Sequence, residues 1–211
     1  MTSGTNVLFG KYLSPYVRRV AVSLNMLRIP FEQRVISAIG DEAEREAVNP
    51  VGRVPALRLP SGEVLVDSAA ILDHFDEVVG PEQALIPVSG MARRRSLQLL
   101  AIATGAIDRA MTANAERRRE VLDHERIARL LRQCRQGFAA LEHTLGGEMS
   151  FEGTPDRVLQ SDITTVVGFY FVNHIFPGTL DRQDFPGLGA LSDTLENRAE
   201  FRDVPIETIA R

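Results

Sequence analysis

The chain has 211 residues, of which 44% are hydrophobic and 25% charged, with a net charge of −4. That length allows one or two domains, and the composition excludes a disordered chain and an overall basic surface for nucleic acid. No apolar run reaches the roughly 18–20 residues needed to cross a bilayer, and the polar start, Met1 to Asn6, lacks the charged and apolar regions of a signal peptide. A cytoplasmic protein without a membrane partner is expected. The single cysteine, Cys134, leaves no intramolecular disulfide and no paired-cysteine redox site. Lys11 is the only lysine. The arginine runs 93–95 and 117–119 read as solvated helix faces rather than nucleic-acid sites.

Val7 to Gly10 reads as a short buried strand, and Lys11 to Leu13 as a loop. Ser14-Pro15 is a favourable helix opening, with Ser as N-cap and Pro at the first helical position. Val17, Val20, Ala21, Leu24 and Leu27 then recur at helical spacing until Ile29-Pro30 ends the run. Phe31 to Ile36 alternates like a second strand, and a βαβ unit of this length implies a parallel, right-handed crossover. Gly40 to Val48 is acidic and reads as a poorly packed helix. Asn49-Pro50 and Gly52 supply turn chemistry before Arg53-Val54-Pro55. Ala56 to Leu59 and Glu63 to Val66 flank the Pro60-Ser61-Gly62 turn as a hairpin, and a helix runs from about Ser68 to Val79.

The order β-α-β-α-β-β-α is a thioredoxin-like arrangement. Residues 81–90 read as a linker rich in Pro and Gly. Beyond it no strand pattern appears. Leu97, Leu100, Ala101, Thr104, Ile107 and Met111 form one helical stripe. Ile127, Leu130, Leu131, Cys134, Phe138, Leu141 and Leu145 form another, stopped by Gly146-Gly147. After a loop at 151–156, Ile163, Val166, Val167 and Tyr170 open a third apolar helix. Phe176-Pro177-Gly178 and Phe185-Pro186-Gly187 are breaks. A last helix, about Leu188 to Arg198, leads into a tail with no pattern. The expected fold is therefore an α/β thioredoxin-like N-terminal domain (1–80) followed by an all-α helical C-terminal domain (91–211).

Three local features bear on chemistry. A proline after a bulky residue and before a strand accepts a cis bond at modest cost. At Val54-Pro55 such a bond would turn the Val54 backbone outward, where its N–H and C=O could pair with an extended peptide. Asp67-Ser68 offers a carboxylate, a hydroxyl and helix N-terminal N–H groups, an anion site beside a cation acceptor. Together they describe a receptor for a small zwitterionic peptide. Ser14 by itself is an ordinary N-cap; it gains weight from its place after the first strand of the same unit.

The block NPVGRVPAL…VDSAAIL, residues 49–72, closely resembles the glutathione-binding half of the cytosolic glutathione transferase family. Ser14-Pro15-Tyr16-Val17-Arg18-Arg19-Val20 is similar to that family's serine-type active-site turn. The resemblance implies glutathione as co-substrate, without a metal, and a homodimer. It implies that Ser14 donates a hydrogen bond to the glutathione sulfur, with Tyr12 as the competing donor. A donor and a helix N-terminus both favour thiolate over thiol, so the nucleophile is the ligand's sulfur. It further implies that Asp67 and Ser68 hold the γ-glutamyl end, that Val54 beside Pro55 pairs with the cysteinyl unit, and that Arg53 meets the glycyl carboxylate. Tyr12, Leu13, Tyr16, Met111, Asn114 and Phe171 are the candidates for a hydrophobic acceptor pocket between the domains.

The implied function is a glutathione transferase that activates the thiolate for attack on hydrophobic electrophiles, in a detoxification role. The alternatives are a non-catalytic glutathione-binding relative and a glutathione-dependent peroxidase or isomerase using the same thiolate. Zeta-type isomerases carry a denser Ser/Cys motif at this turn than Ser14-Pro15-Tyr16. Asp162 resembles the acidic residue of the family's helix-capping motif, but Leu159 stands where Ser or Thr is usual; Ser161 or Asp162 would then cap the helix itself. Cys134 lies on an apolar stripe and reads as an inert core residue. His74, His124, His143 and His174 show no metal-ligand spacing.

Overall fold

The computed structural model describes residues 4–36, 42–145 and 157–206. The chain divides into two compact units, Met1–Leu85 with Ala199–Arg211, and Ile86–Arg198. The expected glycine stop at 146–147, the loop at 151–156 and the start of the acidic helix lie outside the described residues.

The first unit runs β1 (Asn6–Phe9), α1 (Pro15–Met26), β2 (Phe31–Arg34), α2 (Glu42–Val48), β3 (Ala56–Arg58), β4 (Val64–Val66) and α3 (Ser68–Val79). Its sheet has the order β2-β1-β3-β4, with β1 parallel to β2 and the other pairs antiparallel. This is the thioredoxin-like arrangement. Strand alternation sorts the side chains onto two faces. Leu8 and Leu57 are fully buried on the face where α1 and α3 pack. Val7, Phe9, Ala56 and Val66 cluster on the other face with Ile36 and Val48. On that second face no residue of α2 is fully buried, and the Arg34 and Arg58 guanidinium groups lie over the Phe9 ring, 5.9 and 5.5 Å from its centroid.

The C-terminal segment, patternless in the sequence, carries a short helix α8 (Ala199–Arg202) that packs on α1 in the first unit. Arg18, on α1, is 1% exposed. Its Nε donates to the Val204 carbonyl at 2.9 Å, and its guanidinium lies over the Phe201 ring. Asn25 donates to the Glu200 carbonyl at 3.0 Å. A buried guanidinium is costly unless its donors are used, and the tail's backbone carbonyls use them.

The second unit is helical among the described residues: α4 (Gly90–Glu116), α5 (His124–Leu145), α6 (Gln160–Ile175) and α7 (Pro186–Glu196). The buried face of α4 differs from the expected stripe. Ser96, Leu99, Ala103, Ala106, Ile107 and Ala110 face inward, while Leu97 and Ala101 are exposed. The alanines carry the seam because the helices approach closely. A Cβ on Gly137 of α5 would stand 2.8 Å from the Ala106 Cβ, and one on Gly168 of α6 would stand 2.7 Å from Ile107. The α5 stripe of Leu130, Cys134, Phe138 and Leu141 is buried as expected. On α6 the polar opening, Gln160 to Thr165, is buried along with the apolar turn, whereas Tyr170 is exposed. Pro186, read as a break, opens α7 at its first turn. Among the described residues no helix is long and apolar enough to cross a membrane.

Candidate functional site

The sheet register gathers the three candidate segments of the first unit. Ala56 pairs with Phe9 on one side and with Val66 on the other. Continuing both ladders by one residue sets Pro55 opposite Gly10 and Asp67. The turn leading to Ser14, the Val54-Pro55 loop and the Asp67-Ser68 helix start therefore emerge at one end of the sheet. Gly10 makes that convergence possible. Its φ is +126°, and a Cβ there would fall 2.6 Å from Val17 Cγ2 and 3.1 Å from Val54 Cβ. Only glycine meets both conditions. Its N–H donates to the Arg34 carbonyl at 3.0 Å, and its carbonyl accepts from Gln33 Nε2 at 2.9 Å.

Ser14 is the N-cap of α1, with extended φ and ψ. Its Oγ accepts from the Val17 N–H at a long 3.4 Å. Capping uses an oxygen lone pair and leaves the hydroxyl hydrogen; among the described residues nothing takes that hydrogen. Cap and donor are therefore compatible roles for one side chain. Tyr12, Leu13 and Tyr16 flank it, all half-buried, and Arg19 lies over the Tyr16 ring at 5.8 Å.

The Val54-Pro55 peptide bond is cis. Pro55 is buried and Val54 half-buried. Among the described residues the Val54 backbone N–H and C=O have no hydrogen-bond partner. Arg53 is exposed, and no described residue pairs with its guanidinium. Asp67 is the N-cap of α3: its Oδ1 accepts from the Ala69 N–H at 2.7 Å. Its φ of +72° is uncommon for a non-glycine residue. The carboxylate stays exposed, while Ser68 is 3% exposed.

Of the acceptor-pocket candidates on the second unit, Met111 is half-buried, Phe171 is buried, and Asn114 is buried with its Oδ1 accepting from Arg117 at 3.0 Å. Leu159 is the N-cap position of α6, and Asp162 sits at the third helical position. Neither Ser161 nor Asp162 is the cap. The Asp162 carboxylate reaches back to the Leu159 N–H at 2.8 Å. With leucine at the cap, the return bond from a Ser or Thr oxygen is missing, and only half of a capping box remains. Burial pushes the Asp162 carboxyl up to about 6, against the lowering effect of that backbone bond. The Cys134 thiol is buried and pushed up to about 12 by desolvation, which leaves it no thiolate to react. Among the described residues no group of three or more His, Cys, Asp or Glu could hold a metal ion.

Two residues that shape the site were not singled out by sequence pattern. Gly10 is one; the sequence pattern reads it as the last residue of the first strand, which ends at Phe9. The other is Asn49, whose Asn-Pro sequence signals a turn but not what its side chain holds.

A four-stranded mixed sheet with this order, followed by a helical unit, defines a thioredoxin-like protein of the two-part kind. Residues 8–83 match the family model of the glutathione S-transferase N-terminal domain. Similarity extends over nearly the whole chain. A maleylacetoacetate isomerase of Pseudomonas aeruginosa is 28% identical, with 92% of this chain and 93% of that protein covered. A glutathione S-transferase of Methylobacterium radiotolerans, solved with glutathione sulfonate, is 27% identical with a TM-score of 0.87, covering 99% of this chain and 98% of that one. A glutathione S-transferase of Methylobacillus flagellatus, solved with glutathione bound, is 27% identical with a TM-score of 0.84, covering 96% and 100%.

Proposed function

We propose that this chain is a glutathione-dependent enzyme that binds glutathione across the end of its sheet and activates the sulfur at Ser14. The observation that carries the reading is the Ser14 hydroxyl. It caps α1 through its oxygen, and among the described residues its hydrogen has no acceptor. The unused backbone groups of Val54 fit an extended cysteinyl unit. The exposed Asp67 carboxylate fits the ligand's ammonium, and the α3 N-terminus at Ser68 fits its α-carboxylate. Arg53 fits the glycyl carboxylate. In a transfer, the thiolate sulfur bonds to an electrophilic carbon; either a leaving group departs from that carbon with its bonding pair, or a double bond opens and its other end takes the electron pair and a proton.

Isomerisation is the second reading, favoured by the likeness to a maleylacetoacetate isomerase. There the thiolate adds to a carbon–carbon double bond, the resulting single bond rotates, and the sulfur leaves again, so glutathione is regenerated.

The test is an ultraviolet titration of bound glutathione with wild type and Ser14→Ala side by side. A hydrogen bond to a charged group is worth about 1.5–3 kcal/mol. The variant should therefore ionise bound glutathione about one to two pH units higher. Equal ionisation in both proteins would assign activation to another donor, Tyr12 first. Following free glutathione during turnover separates the readings: transfer to an activated aryl halide consumes it, and isomerisation of maleylacetoacetate does not. Binding without either turnover would leave the non-catalytic alternative.

A further inference from the structure

We propose that Asn49 is a positioning residue for glutathione, setting affinity through the Arg53–Val54 loop and leaving sulfur activation alone. The inference rests on the glutathione reading above. Of residues 49–53, Asn49 alone is buried, at 3% exposure; Pro50, Val51 and Arg53 are exposed. Packing therefore does little to fix this loop, and the preceding helix α2 buries no residue fully. Hydrogen bonds fix it instead. Asn49 Nδ2 donates to the Arg53 carbonyl at 2.8 Å, and its Oδ1 accepts from the Val51 N–H at 3.0 Å. Its backbone carbonyl accepts from the Gly52 N–H at 2.7 Å, and its N–H donates to the Arg45 carbonyl at 2.8 Å. Arg45 Nε adds a bond to the Gly52 carbonyl at 3.0 Å. One side chain thus ties both ends of the turn that delivers Val54.

The tie ends on the Arg53 carbonyl, the far side of the peptide unit whose N–H belongs to Val54. Turning that peptide would re-aim the donor proposed to meet the cysteinyl unit. It would also release the Arg53 side chain from its approach to the glycyl end. Ser14 is held by separate contacts, its N–H donating to the Lys11 carbonyl at 3.0 Å and its Oγ accepting from Val17. Loss of the tie should therefore separate binding from activation.

The experiment compares wild type with Asn49→Ala and Asn49→Asp. The aspartate keeps an acceptor for Val51 N–H and loses the donor to Arg53. Losing such a bond should raise the glutathione KM about tenfold in either variant. The kcat at saturating glutathione and the pH at which bound glutathione ionises should stay at the wild-type values. Amide hydrogen exchange at Val51 and Gly52 should accelerate in Asn49→Ala, with β1 and β3 unchanged. An unaltered KM in folded variants overturns the proposal, as does a fall in kcat at saturating glutathione or a shift in the pH at which bound glutathione ionises. If wild type binds no glutathione, the function reading falls by itself. Exchange at Val51 and Gly52 then decides whether Asn49 holds the loop, and unaltered exchange refutes it.

Discussion

Gly10 shows how much of the site depends on one missing side chain. Its positive φ and the 2.6 Å and 3.1 Å approaches to Val17 and Val54 leave no room for a Cβ. Both neighbours belong to segments that the site needs, so relief of the clash would displace the start of α1 or the loop before Pro55. Gly10→Ala should cost about 2–3 kcal/mol through backbone strain and overpacking. In a chain of this size that lowers Tm by roughly 5–10 °C. A thermal melt checks it, and a Tm within a degree of wild type would contradict the close approach. The Ser14 opening was legible at this scale because a cap is a local device. Asn49 was legible only as a turn, because its hydrogen bonds form after the loop has closed.

At the scale of the element, the opening of α6 carries a pH signature. Asp162 is 4% exposed, its Oδ2 holds the Leu159 N–H, and among the described residues its Oδ1 has no partner. Burial pushes the pKa of its folded carboxyl up to about 6, above the ordinary aspartate value. The folded state thus binds the proton more tightly than the unfolded state. This group's contribution to stability is greatest below about pH 4 and is lost as pH rises through about 6. Asp162→Asn, which retains an acceptor for Leu159 N–H, should flatten the stability profile across that window. Denaturant midpoints at pH 4, 5, 6 and 7 for the two proteins test it; parallel profiles would remove Asp162 as the source. The sequence marked Asp162 by its likeness to a capping motif. It placed the cap two or three residues too far along, since Leu159 offers no side-chain acceptor and so gives no local signal. The buried face of α4 departs from the expected stripe for a related reason. A hydropathy stripe weights Leu over Ala, but helices in close approach select the small residue.

Across the whole molecule, the first unit is completed by residues from the far end of the chain. Arg18 is buried beneath the 199–204 segment and bonded to the Val204 carbonyl, while Phe201 and Val204 are themselves buried. Deleting residues 199–211 would expose this apolar surface and strip a buried guanidinium of its carbonyl partner. The first unit should lose about 3 kcal/mol or more. Hydrogen exchange resolved along the chain should show faster exchange in α1, with α5 and α6 unchanged; equal protection of α1 in both proteins would show that the tail is dispensable. What the sequence determined by itself was everything written in short-range pattern: the β-α-β-α-β-β-α order, the hairpin and capped helix of 49–79, the Ser14 opening, and the helical character of the second half. What only the tertiary structure decided was non-local. The pairing of Ala56 with both Phe9 and Val66 brings Ser14, Val54 and Asp67 to one end of the sheet. Gly10 lets those segments close, and the tail returns to cover Arg18. Such contacts join residues tens to nearly two hundred positions apart, and their free energy resides in burial and hydrogen bonds that no local stretch of chain contains.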